Sequence, residues 1–138
     1  MLIVRSYLRK IKAVSMIKLE LPMAPPSVNT IWINKPKGRF KSVKGREFDK
    51  RAKQEIAIQY LGKPLRGKLK VKIKLFFKDN RKRDIDNYNK GVLDAMTGFI
   101  YEDDSQIDEL FLVKKINCGF DKVEIFIDEI SEEKMTLF

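Results

Sequence analysis

Two aspartates one residue apart, Asp84 and Asp86, a lysine at Lys90 and the run Glu102, Asp103 and Asp104 are the residues of this chain whose types and spacing could do chemistry. Carboxylate oxygens are hard ligands that suit Mg²⁺ or Mn²⁺, whereas zinc and copper sites usually recruit His or Cys. The chain has no His and one Cys. The cluster therefore predicts a hard-cation site held by oxygen.

The charge around these residues is divided sharply. Residues 1 to 83 carry 24 Lys/Arg against 5 Asp/Glu, and residues 84 to 138 carry 5 against 14, for a total of +10. A basic half is an electrostatic footprint for phosphate backbones, because each neutralised phosphate releases counterions. Carboxylates beside it would repel nucleic acid unless cations bridge the two. A purely binding protein gains nothing from that placement, while a metal-dependent nuclease requires it. The competing explanation is a solvated lysine-rich face on a heat-adapted protein.

The elements that must position these groups are legible from periodicity. At 138 residues the chain predicts one domain, with a basic, partly disordered extension over 1–15, a folded unit over 16–130 and a tail over 131–138. Residues 16–21 alternate as a half-buried strand. PMAPPSVNT, with three prolines, predicts a rigid extended loop offering Ser27, Asn29 and Thr30 as hydrogen-bonding groups. The stretch 34–46 predicts a flexible basic loop bearing Lys37, Arg39, Lys41, Lys44 and Arg46, with Trp32 and Phe40 able to stack on an unpaired base or simply to anchor the loop.

A helix is predicted over 47–60 and a strand over 69–77, whose polar face carries Lys72 and Lys74. Those lysines face phosphates or water, and they also guard against edge-to-edge pairing. Arg81, Lys82 and Arg83 form a basic turn into Asp84. Helix capping accounts for one of Asp84 and Asp86 but not both. A helix over 87–97 would put Asp86, Lys90 and Asp94 on one face, where an ordinary ion pair is the plainer explanation. Gly98 ends it, and residues 110–117 and 122–130 predict an antiparallel hairpin turning at CGFD. The fold class is α+β, a mostly antiparallel or mixed sheet of about four strands with two main helices.

Cys118 cannot form an intramolecular disulfide, which fits a reducing intracellular setting. No apolar run approaches the roughly 18 residues that cross a bilayer.

RDIDNYNKGVLDAM followed by EDD, preceded by LPMAPPSVNTIW, resembles the signature of RusA-type Holliday junction resolvases, metal-dependent endonucleases best known from phages and prophages. The resemblance runs from about Met16 to Ile130. It implies that Asp84, Asp86 and Asp104 are catalytic metal-binding carboxylates, with Asp103 contributing or supporting. The length of the return loop decides which of Asp103 and Asp104 reaches the metal. Lys90 would be the essential basic residue, and Asn87 and Asp94 would support. It further implies Mg²⁺, replaceable by Mn²⁺, and a homodimer that cradles a four-way DNA junction in the bacterial cytoplasm, at the nucleoid or as a phage protein.

The chemistry then expected is paired symmetric incision in recombination and repair. A nuclease for flaps or forks and a non-catalytic junction-binding protein are the alternatives. The terminal KMTLF loosely resembles a sliding-clamp tail motif, although so short a match arises often by chance and a frayed end is the better explanation.

Overall fold

The computed structural model describes residues 16–130, so the basic extension and the KMTLF tail lie outside the described residues. Four strands form the main sheet: β1 (Ile17–Leu21), β4 (Leu69–Phe76), β5 (Ile107–Lys115) and β6 (Lys122–Glu129), in the order β1-β6-β4-β5. β6 runs antiparallel to both β1 and β4, while β4 and β5 are parallel. The sheet is mixed, as the sequence predicts.

One prediction is corrected here. β5 and β6 are not a hairpin, because β4 lies between them. Their connection instead wraps the end of β4: Cys118 N donates to Phe77 O at 2.9 Å, Asn117 N to Asp79 O at 2.8 Å, and Lys78 N to Asp121 Oδ1 at 2.9 Å. Asn117 and Gly119 adopt positive φ to make that path. β5 also begins earlier than expected, at Ile107, so Asp108 and Glu109 are strand residues.

Leu69, Val71, Ile73 and Leu75 alternate inward from β4 and join Leu19, Leu21, Val123, Ile125 and Ile127 in one core. Against this face pack α2 (Val43–Gln59), through Phe48, Ala52 and Ile56, and α3 (Lys90–Met96), through Val92, Leu93, Ala95 and Met96. Lys70, Lys72 and Lys74 alternate onto the opposite face of the sheet. The free edge of β1 is blunted by Gln59, whose side-chain amide donates to Glu20 O at 2.7 Å and accepts from Glu20 N at 2.8 Å. Among the described residues no helix is long and apolar enough to cross a membrane.

Three local expectations also change. The proline-rich stretch is not extended throughout, since α1 (Val28–Ile31) forms one turn once Pro26 is past, with Ser27 O accepting from Thr30 N and Ile31 N. The basic stretch is not a loop but a hairpin, β2 (Trp32–Lys35) and β3 (Gly38–Lys41), turned by Pro36 and by Gly38 at φ 137°. Helix α2 starts four residues early because Ser42 caps it, accepting from Gly45 N at 3.0 Å.

Gly45 is required inside that helix. A Cβ there would lie 2.8 Å from the backbone oxygen of Ile31. Gly91 makes a similar approach, its Cβ position lying 3.3 Å from Ile31 Cδ1 and from a Phe48 ring carbon. Together they seat α1 and the root of the hairpin against α2 and α3.

Candidate active site

The segment after β4 is fixed before it reaches the aspartates. Asp79 Oδ1 pairs with Arg83 at 2.8 Å, and Oδ2 accepts from Arg81 Nε at 3.1 Å. Burial pushes the Asp79 carboxyl up, but hydrogen bonds from the Arg81 amide and Arg83, with both guanidinium charges, outweigh it and hold the group below its ordinary value. The Arg83 side chain is only 8% exposed and its guanidinium stacks 4.2 Å over Phe77. Its backbone oxygen accepts from Lys114 Nζ on β5. Arg83 therefore pins the chain just before Asp84 and has little surface left for DNA.

Asp84 and Asp86 follow at a short 3₁₀ turn, Ile85–Asn87, that lies against β5. Both are exposed, and Asp84 makes no side-chain cap hydrogen bond. The predicted single helical face is not present: α3 begins only at Lys90, so Asp86 stands on a separate turn. Of that trio, Lys90 and Asp94 form the i,i+4 ion pair, at 3.1 Å.

The acidic run returns through Gly98, at φ 88°, and a buried Tyr101 whose hydroxyl donates to Leu93 O at 2.6 Å. Burial raises the Tyr101 phenol, with the Thr97 side chain opposing and nearby aspartate charges adding, so it stays a neutral donor. Gln106 then fastens the loop with four bonds: Oε1 accepts from Glu102 N and Asp103 N, and Nε2 donates to Leu65 O and Gly67 O, all between 2.8 and 3.0 Å.

With Asp103 and Gln106 forming a capping box around a second 3₁₀ turn, Asp104–Gln106, the two aspartates separate in role. Asp103 accepts from Ser105 N at 3.0 Å, and the Ser105 side chain, that backbone amide and the charge of Lys90 hold its carboxyl below the ordinary value against some burial. Asp104 instead extends to Lys90, 3.8 Å from its ammonium. The Asp94 hydrogen bond raises the Lys90 ammonium, burial opposes, and the charges of Asp94, Asp104 and Asp103 raise it further, so Lys90 is cationic at neutral pH.

Among the described residues no three carboxylates gather into a group able to hold an ion unaided. The donor chemistry nonetheless fits Mg²⁺, which keeps several waters and is usually bound through one or two carboxylates completed by substrate phosphate oxygens. Exposed oxygens at Asp84 and Asp86 meet that requirement.

The basic residues divide into three groups. Lys44, Arg81 and Lys82 border a cleft of about 270 Å³ that also reaches Ser27, Thr30 and Tyr88. Lys37 and Arg39 are exposed on the β2–β3 hairpin, Lys41 at its base is half-buried and lies 3.8 Å from Asp49, and Arg46 is exposed at the start of α2. Lys72 and Lys74 lie on the sheet face away from the helices, apart from Lys90.

Sequence reasoning missed Gln106, Gly45, Gly91 and the clamp at Asp79. The D-x-x-Q spacing of a capping box was the available signal for Gln106.

Comparison with known proteins identifies the family. The family model for endodeoxyribonuclease RusA matches residues 22–128. A crossover junction endodeoxyribonuclease rusA of Enterobacteria phage HK97 is 32% identical over 108 residues, covering 77% of this chain and 89% of that protein. A crossover junction endodeoxyribonuclease RusA of Aquifex aeolicus is 34% identical over 114 residues, covering 80% of this chain and 90% of that one. The matched region begins just after β1 and holds α2, α3, the paired aspartates, Lys90 and the return loop, and the chain belongs to the RusA endodeoxyribonuclease family.

Proposed function

We propose that this endonuclease resolves four-way DNA junctions by paired incisions and depends on Mg²⁺. The observation that carries the reading is the meeting of Lys90 with Asp104 at 3.8 Å, in a chain whose exposed Asp84 and Asp86 stand six and four residues before that lysine. Asp84 and Asp86 would hold the ion together with substrate phosphate oxygens, while Asp104 pairs with Lys90. When bound, Mg²⁺ supplies a nucleophilic water and neutralises developing charge.

The protein's own groups do the rest. Lys90, kept cationic by Asp94 and Asp104, neutralises the scissile phosphate as its bonds change. Asp94 orients Lys90, and Gln106 holds Asp104 in place. Lys44, Arg81 and Lys82 bind flanking phosphates, which fix register and orientation without reading sequence.

A four-way junction has approximate two-fold symmetry and is resolved by two cuts. One chain carries one such site, so the working unit is a C2 homodimer. The test is a panel of synthetic junction, fork, flap and duplex substrates incubated with Mg²⁺. Paired symmetric nicks in the junction are expected, and cutting of flaps or forks with the junction intact would overturn the reading.

A further inference from the structure

We propose that the β2–β3 hairpin probes the branch point, its Ile33–Phe40 face stacking on the base pair exposed where the duplex arms part. This rests on the junction reading above. The hairpin forms a sheet of its own, and residues 33–40 are all exposed. Ile33 and Phe40 are direct cross-strand partners, so they share one face, and they are 42% and 48% exposed. A two-stranded hairpin is marginal without a packing partner, and an exposed aromatic–aliphatic pair adds nothing to a core it does not touch.

The charge around that face selects the partner. Lys35 and Lys37 border it, Arg39 and Lys41 lie on the hairpin's other face over Trp32, and no acidic residue occurs between Trp32 and Arg46. Lys35 Nζ lies 5.9 Å from the Phe40 ring centroid, and a hollow of about 370 Å³, lined almost wholly by apolar surface of Lys35, Pro36, Lys37 and Phe40, sits at the tip. A flat apolar face bordered by Lys35 and Lys37, on a hairpin whose other face carries Arg39 and Lys41, matches a nucleobase flanked by phosphates. Continuous duplex offers no such ring face, since its bases are stacked; a branch point does.

The hairpin is also aimed at the right place. Its first residue follows Ile31, which packs on Gly91 beside Lys90, and Ser42 N, just after its last residue, donates to Ile31 O at 2.7 Å. Strands of four residues reach roughly 13 Å from that root. Phosphates would then supply general affinity, and the Ile33–Phe40 face the preference for branched DNA.

The test compares wild type, Phe40→Leu and Phe40→Trp for binding in EDTA to a synthetic junction with 2-aminopurine at its branch point, to linear duplex and to anionic phosphatidylserine vesicles. For wild type, the probe's fluorescence should change on binding, and Trp32, the only Trp, should report the hairpin's engagement. Phe40→Leu, which keeps an apolar side chain but removes the ring, should lose the probe signal and lower the junction-to-duplex affinity ratio by about tenfold, within the range of one stacked base. Phe40→Trp should restore both.

An unchanged ratio and signal in Phe40→Leu would overturn this inference alone. A wild type that does not distinguish junction from duplex would overturn the junction reading and this inference with it. Phe40-dependent binding to vesicles, with junction binding indifferent to Phe40, would assign the face to membranes and overturn it too.

Discussion

Lys90 and Asp104 face one another across the site, ammonium to carboxylate oxygen at 3.8 Å, the first from the start of α3 and the second from the turn that opens β5. This contact, with the shorter Lys90–Asp94 pair, joins the helix to the return loop and puts one cation among three aspartates. Lys90 is half exposed, so these pairs contribute at most about 1 kcal/mol to stability. Lys90→Ala should therefore keep its unfolding midpoint nearly unchanged while junction cleavage falls by about 100-fold or more, the scale on which removal of one charge-stabilising donor acts. Thermal unfolding and single-turnover cleavage measure the two effects separately.

Gln106 acts at a distance through the loop it fastens. Gln106→Ala removes two donated and two accepted bonds, leaving the Glu102 and Asp103 amides and the Leu65 and Gly67 carbonyls to find water. A loss of about 1–3 kcal/mol is expected in denaturant unfolding. Because Asp104 is then less firmly placed, cleavage should fall while junction affinity holds; equal losses in both would show that Gln106 serves only stability.

Gly45→Ala should destabilise the protein by about 1–3 kcal/mol, because the new methyl meets the backbone oxygen of Ile31 rather than a side chain that can swing away. Gly91→Ala meets the ends of Ile31 and Phe48 side chains at 3.3 Å and should cost less. Equal destabilisation of the two, measured by denaturant unfolding, would contradict this account of the hairpin root.

Asp79 gives the turn a pH dependence of definite sign. Its folded-state carboxyl titrates below the ordinary value of 3.8, so its contribution is complete above that value and is lost as pH falls through the lowered one. The stability difference between wild type and Asp79→Asn should be constant from neutral pH down to mildly acid conditions and should close at stronger acidity. A difference that instead grew below pH 3.8 would show the opposite shift.

Strong periodicity made β1, β4 and the body of α2 legible, since alternating Leu69 to Leu75 and the Phe48, Ala52, Ile56 spacing each specify a face. The hairpin was not legible. Pro36 and Gly38 read as loop residues, and only the cross-strand pairing of Ile33 with Phe40, together with Arg39 stacking 4.6 Å over Trp32, orders the stretch. The pairing of β5 was hidden because a six-residue connection to β6 suits a hairpin, whereas both strands pair with β4 and residues 117–119 bond to residues 77–79 where the chain crosses its end.

Within the site, Asp84, Asp86, Lys90 and Asp104 could be named from residue type and motif. Their arrangement could not, because a 3₁₀ turn separates Asp86 from α3 and a capping box turns Asp103 aside.

The central claim is that the exposed aspartates repel phosphate until a cation is bound and then serve the chemistry. Asp86→Asn removes that charge and a proposed ligand while leaving the turn sterically unchanged. The direct measurement is junction affinity in EDTA and junction cleavage in Mg²⁺ for wild type and Asp86→Asn side by side. Affinity that is kept or tightened with cleavage abolished is the predicted result, and cleavage at the wild-type rate by Asp86→Asn would contradict it.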